Sequence, residues 1–303
     1  MDGLRGCSRS RRSRAGRARA RRLGSDAVSR SSEAAHARLY ASAIARILAR
    51  AHRHGSEDLD AVAERPVFVL GAPRSGTTFL AGAIGRVPGL VDLGELKPWK
   101  AAIPRLVAAS EDEAAKELRG MLETVRRYGL VRHLRAVEQS PETAFVLGAV
   151  LRAYPQAAIV HMLRDPRDVA SSLLQKGWLR AGREGRDDVG EPYGHYARFW
   201  VEPGRVEEFD EADDARRAGW AWRRYVTAAR AAPSATVEVR YEELAADPEA
   251  ASEPLAAHIG ADPVILARAL SRMHAESVGR WHRNLTPEQV AEVESEAAEL
   301  MEE

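Results

Sequence analysis

A short apolar run, Val67-Phe68-Val69-Leu70, stops at Gly71 and gives way within eight residues to a second apolar stretch, Phe79 to Ile84, with Gly71-Ala72-Pro73-Arg74-Ser75-Gly76-Thr77-Thr78 between them. β-branched and aromatic residues in a run of four suit a buried strand, and the loop's glycines allow a tight turn. The order predicts strand, loop, helix. Such a junction gathers backbone N–H groups at a helix N-terminus, where the helix dipole favours an anion. The loop matches the spacing of a nucleotide-binding P-loop at both glycines and at the final Thr, but Thr77 stands where that motif carries lysine. A nucleotide triphosphatase uses the lysine on the β- and γ-phosphates, so its loss weakens a kinase or ATPase reading. The cation in this loop is Arg74.

Two further apolar runs, Ala157 to Leu163 and Thr236 to Val239, follow helix-like segments at Glu142 to Ala153 and Glu211 to Ala231, and another helix begins near Pro166. A leading helix is expected within Ser31 to His54, where Leu39, Ile44, Ile47 and Leu48 fall at helical spacing before Gly55. Short buried strands alternating with helices predict an α/β fold, a parallel sheet with helices on both faces. Between the second and third strands, residues 175–210 are rich in glycine and charge and read as a lid insertion or a mobile loop.

Composition narrows the class further. No apolar stretch approaches the ~18 residues of a membrane span. A single cysteine, Cys7, leaves no intramolecular disulfide and no cysteine-based metal cluster, which fits a reducing cytoplasm. The net charge of +1 conceals an asymmetry: residues 1–30 hold ten of the 45 basic residues, leaving 35 basic against 42 acidic residues in the remainder. The Arg-rich start reads as a disordered tail, and the mildly acidic remainder gives no sign of a nucleic-acid partner.

Pro73-Arg74-Ser75-Gly76-Thr77-Thr78 resembles the 5′-phosphosulfate loop of sulfotransferases that use 3′-phosphoadenosine-5′-phosphosulfate (PAPS), in the form carried by bacterial and tyrosylprotein-sulfotransferase-like members. Ile159 to Ser172 resembles the segment of the same family that holds the 3′-phosphate, with an Arg at a strand end and a Ser eight positions on, here Arg164 and Ser172. The resemblance implies one P-loop-like domain over 31–303 and PAPS as cosubstrate, with no metal. The acceptor it implies is a hydroxyl, on a small molecule or carbohydrate or on a protein tyrosine.

It also assigns roles. Arg74, Ser75, Gly76, Thr77 and Thr78 would hold the 5′-phosphosulfate, and Arg164, Ser172 and Arg280 the 3′-phosphate. Tyr241 would meet the adenine or ribose. Glu95, in Leu93-Gly94-Glu95 and 21 positions after Arg74, would be the general base, with Arg74 stabilising the transferring group. In Glu138-Gln139-Ser140-Pro141, Gln139 stands where many relatives carry a lysine, a departure that shifts charge stabilisation onto Arg74. Arg167 and Asp168 read as surface or helix-start charges, His161 as a core residue of its strand, and His195, in the lid segment, as either a plain loop residue or a substrate contact. Two other readings stand beside this one: a kinase-like NTPase with an altered loop, and a non-catalytic nucleotide-binding protein.

Overall fold

The computed structural model describes residues 38–49, 64–129, 134–179 and 200–301. The Arg-rich segment 1–30 and His195 lie outside them. The chain divides into two compact units, 1–41 and 42–303, of which the first is described only at 38–41. A helix, α1, runs over 38–49 within the expected leading segment, whose remainder lies outside the described residues.

The second unit is built on five strands: β1 (Val67–Leu70), β2 (Leu90–Asp92), β3 (Arg135–Glu138), β4 (Ala158–Leu163) and β5 (Thr236–Arg240). They form one sheet in the order β2-β3-β1-β4-β5. Every pairing is parallel, with Val67 to Leu70 facing Ala158 to His161 in register. Parallel strands need long crossovers, and helices supply them. These are α2 (Thr77–Ile84) after β1, α3 (Lys97–Leu106) and α4 (Glu111–Gly129) after β2, and α5 (Leu147–Ala153) before β4. After β4 come α6 (Pro166–Lys176), α7 (Val206–Glu211) and α8 (Asp214–Ala229), and after β5 come α9 (Tyr241–Ala246), α10 (Pro248–Ile259), α11 (Pro263–Leu270), α12 (Trp281–Asn284) and α13 (Pro287–Met301).

All four residues of β1 and all six of β4 are buried, because both faces of the sheet are covered. On one face Val67, Val69, Val160 and Met162 pack with Leu80 and Ile84 of α2, Leu255 of α10 and Leu266 of α11. Alternation along β1 turns Phe68 the other way, where it stacks on Trp99 at 5.5 Å between ring centroids and meets Tyr154 at 6.5 Å. Each fully buried side chain of this size contributes roughly 1.5–3 kcal/mol. The sheet is thereby held as a rigid platform.

The central strands and α6 stand where the apolar runs predict them. β2 and β3 were not anticipated, being three and four residues long with charged ends. The segment Glu142 to Ala153 is only partly α-helical: Pro141–Val146 is a 3-10 helix, opened by a turn from Thr143 N–H to the Ser140 carbonyl at 3.0 Å, before α5 begins. Of 175–210, residues 180–199 lie outside the described part; Gln175 and Lys176 close α6, and 203–211 forms a 3-10 turn and α7.

Strand order decides where a ligand can sit. The chain leaves β1 toward β2 on one side and leaves β4 toward β5 on the other. Diverging connections open a crevice at the carboxyl ends of β1 and β4, the ligand position typical of open parallel sheets.

Candidate active site

The loop after β1 folds around a turn from Ser75 N–H to the Ala72 carbonyl at 3.0 Å. Arg74 takes a positive φ of 79°, as does Gly76 at 97°. A non-glycine residue there carries strain of order 1–3 kcal/mol, a cost usually found where backbone must face a ligand. Gly76 is the N-cap of α2 and, lacking a side chain, leaves the first-turn N–H groups without a side-chain cap; no acidic residue occupies that turn. Uncapped N–H donors and the positive end of a helix dipole are features that suit an anion. A Cβ on Gly76 would lie 2.8 Å from the Tyr241 ring, so glycine is also demanded by packing.

On the other side of the crevice, β4 ends at Leu163 and α6 begins with Pro166 as its first residue and Asp165 as its cap, accepting from Arg167 N–H at 2.8 Å. Gly177, at φ 62°, ends the helix in the left-handed conformation. This fixes Arg164 at the strand end and Ser172 within α6.

Between the two segments lies a cleft of about 600 Å³, lined by Arg74, Gly76, Thr77, Thr78, Arg164, Ser172, Tyr241 and Arg280 among others. Eight of the nine expected nucleotide-binding residues are therefore brought together there. Ser75, the ninth, is buried beneath, and its Oγ has no partner among the described residues. Arg74 Nε donates to Ser172 Oγ at 3.0 Å. Burial, then the nearby Arg164 charge, pulls the Arg74 guanidinium below its ordinary pKa.

Arg164 is 8% exposed and held from several sides. Its Nη2 donates to the Ser277 carbonyl at 2.7 Å and its Nη1 to the Arg74 carbonyl at 3.3 Å. Its guanidinium lies 4.2 Å from the Tyr241 ring centre, and its own carbonyl accepts from Trp222 Nε1 at 2.9 Å. Nε alone is buried with no partner among the described residues. Tyr241 OH shares a 2.6 Å hydrogen bond with Ser277 Oγ and donates to the His274 carbonyl at 3.2 Å. Arg280 is exposed at the rim, its Nε on the Glu276 carbonyl at 3.1 Å.

Asp168 overturns the surface reading. It does stand in the first turn of α6, but it is 3% exposed and accepts from Gly279 N–H at 2.8 Å and Trp281 N–H at 3.0 Å. Its partners arrive from more than a hundred residues away, and spacing cannot reveal them. Arg167 pairs with Asp165 and with Glu294. His161 is buried in β4 as expected, with Nδ1 3.0 Å from Glu238 Oε2.

Glu95 occupies the loop after β2 and is not among the residues lining the cleft. Its carboxylate accepts from Lys100 Nζ at 2.6 Å. Next to this loop lies Glu138, a fully buried residue to which the sequence motifs assign no role. Glu138 accepts from Ser140 N–H at 3.0 Å, Ser140 Oγ at 2.5 Å, Thr143 Oγ1 at 3.1 Å and, more loosely, Leu96 N–H at 3.4 Å. Burial pushes its carboxyl up to about 7, against the opposing pull of those hydrogen bonds. Gln139 is 3% exposed, with Oε1 lacking a partner among the described residues. Among the described residues no His, Cys, Asp and Glu side chains cluster as a metal site, and no helix is long and apolar enough to cross a membrane.

Comparison with known proteins gives one family. The model of the sulfotransferase family matches residues 66–264, from the start of β1 into α11. An uncharacterized protein of Aquifex aeolicus (strain VF5) is 30% identical over 133 residues, covering 38% of this chain and 17% of that relative. The chain thus spans less than a fifth of that relative's length. Among solved structures, the sulfotransferase domain of the Synechococcus PCC 7002 olefin synthase aligns with a TM-score of 0.47 at 15% identity, over 80% of this chain and 96% of that one. A mouse sulfotransferase complexed with PAP aligns with a TM-score of 0.47 at 16% identity, over 85% of this chain and 89% of that one.

Proposed function

Because the chain belongs to the sulfotransferase family, we propose that it moves a sulfuryl group from PAPS to a hydroxyl acceptor, releasing a sulfate ester and adenosine 3′,5′-bisphosphate. The observation that carries this reading is the pairing of Arg74 and Arg164 at the ends of adjacent parallel strands, opening on one cleft. A nucleotide with phosphate at both the 3′ and 5′ positions needs two cationic stations, and planar guanidiniums suit both.

The cleft residues fit such a nucleotide. Ser75 Oγ and Arg164 Nε are buried without protein partners among the described residues. Such groups cost about 1–3 kcal/mol each while unsatisfied, and phosphate oxygens would satisfy them. Arg74, Ser75 to Thr78 and the N-terminus of α2 would hold the 5′-phosphosulfate; Arg164, Ser172 and Arg280 would hold the 3′-phosphate, and Tyr241 the adenosine. PAPS supplies the activated sulfuryl group. Arg74 would stabilise charge developing on the departing phosphate.

Glu95 is the proposed base, taking the proton of the acceptor hydroxyl. In the sheet order its loop follows β2, on the far side of β1 from Arg164. Acceptor and nucleotide would then approach the β1 loop from opposite sides, as an in-line transfer requires. Gln139, uncharged, can offer only a neutral donor, which leaves Arg74 with the greater share of charge stabilisation. The acceptor is proposed to be a small-molecule or carbohydrate hydroxyl, with a protein tyrosine as the other candidate.

The test is calorimetry with adenosine 3′,5′-bisphosphate in the presence of a chelator, followed by incubation of the protein and labelled PAPS with an extract of its source cell. Metal-independent binding and a sulfated product are expected. Binding of magnesium ATP in preference to the bisphosphate would overturn the proposal in favour of an NTPase.

A further inference from the structure

Residues 274–284, between α11 and the end of α12, form one wall of the cleft and carry Ser277 and Arg280 into it. This wall is short and mostly exposed, so its own core cannot hold it. It is fastened from outside. Ser277 is taken at its carbonyl by Arg164 and at its hydroxyl by Tyr241. Asn284 Nδ2 donates to Ser171 Oγ at 2.9 Å, and the Arg167 guanidinium lies 4.2 Å from the centre of the Trp281 ring.

At the centre of these contacts is Asp168, whose two carboxylate oxygens each receive one backbone N–H of the wall. The donors are Gly279 and Trp281, which flank Arg280. Gly279 sits at φ 69°, a conformation that favours glycine, at the turn from which its own N–H and that of Trp281 reach one carboxylate. A carboxylate 3% exposed is costly unless paired, and Arg164 Nη2, a group of opposite charge, lies 3.9 Å away. One side chain therefore grips the backbone on both sides of Arg280 and lies beside Arg164.

We propose that Asp168 is a positioning residue that fixes the 277–281 wall and thereby sets the preference of the site for nucleotides bearing a 3′-phosphate. The inference rests on the PAPS reading above. The 5′ side of the cleft depends less on this grip, since the β1 loop closes through its own Ser75 to Ala72 turn and is linked to Arg164 by a single 3.3 Å bond at the Arg74 carbonyl. Loss of Asp168 should therefore be felt selectively.

The experiment compares wild type with Asp168→Asn by calorimetry, using adenosine 3′,5′-bisphosphate and AMP, which lacks the 3′-phosphate. The variant is expected to bind the bisphosphate roughly 10- to 100-fold more weakly, the weight of a charge-assisted hydrogen bond, and AMP within about 3-fold of wild type. Equal losses for both nucleotides, or no loss, would overturn the inference while leaving the PAPS reading intact. A wild type indifferent to the 3′-phosphate would overturn both. Should the variant not fold, amide hydrogen exchange on wild type decides: slow exchange at Gly279 and Trp281 is expected, and exchange at open-loop rates at both would refute the grip.

Discussion

Arg74 Nε donates a 3.0 Å hydrogen bond to Ser172 Oγ, joining the loop after β1 to the helix after β4 across the crevice between those strands. The bond uses one edge of the guanidinium and restrains the orientation of the side chain. A lysine could supply the charge but not a planar fork held by one nitrogen while the others face a ligand.

Arg74→Ala is therefore expected to lower turnover of sulfuryl transfer by about 10²-fold or more, on the scale of losing a transition-state donor. Arg74→Lys should recover only a small part of this. Ser172→Ala should cost less, because it removes the orienting hydroxyl and leaves the charge. Steady-state kinetics with labelled PAPS on the three variants provides the check, and an Arg74→Lys enzyme as fast as wild type would contradict the geometry.

Gly76→Ala should damage both fold and site. The new Cβ would lie 2.8 Å from the Tyr241 ring, at a backbone φ of 97° that side chains avoid. A loss of about 1–3 kcal/mol in unfolding free energy is expected from the strained backbone alone. Denaturant titration measures it. Since Tyr241 must shift, affinity for adenosine 3′,5′-bisphosphate should fall in the same variant.

Glu95→Gln separates base from binder. Glu95 does not line the cleft between β1 and β4 where the nucleotide is proposed to bind, so bisphosphate affinity should stay within about 2-fold of wild type while turnover falls by roughly 10²- to 10⁴-fold. Unchanged turnover with a good acceptor would remove Glu95 from the mechanism.

Glu138 predicts a pH dependence of stability. Its carboxyl is raised from 4.5 to about 7 in the folded protein, chiefly by burial, so the native state keeps a proton that the unfolded chain releases in that interval. The contribution is complete below pH 4.5 and is lost as pH rises through about 7. Glu138→Gln keeps the neutral form at every pH and should flatten the decline. Denaturant midpoints measured from pH 5 to 8 on both proteins test this. Glu238 works in a separate window. Although burial raises its pKa, His161 and Arg230 together lower it to about 2, so its stabilisation is lost as pH falls from 4.5 toward 2.

Much of the fold was legible because β1 and β4 are buried on both sides and so read as unbroken apolar runs. β2 and β3 escaped notice for the opposite reason. Leu-Val-Asp and Arg-Ala-Val-Glu are too short and too charged to show a period, and pairing with neighbours in the sheet makes them strands. The mixed 3-10 and α character of 141–153 likewise depends on a local turn at Ser140 that helical periodicity does not encode.

The 71–78 loop, Arg164 and Ser172 were singled out by resemblance, and the motifs that carry it are legible because each belongs to a local strand-to-helix junction whose glycines, proline and cap are adjacent in sequence. Local chemistry determines such junctions before anything distant has packed. Tertiary structure decided what connects them. Only the order β2-β3-β1-β4-β5 sets the two junctions side by side, and only packing of the 274–284 wall onto α6 turns Asp168 from a helix-start charge into a buried acceptor. Glu138 finds its closest partners nearby, at Ser140 and Thr143, but its complete burial and its contact with Leu96 N–H are set by elements that lie elsewhere along the chain.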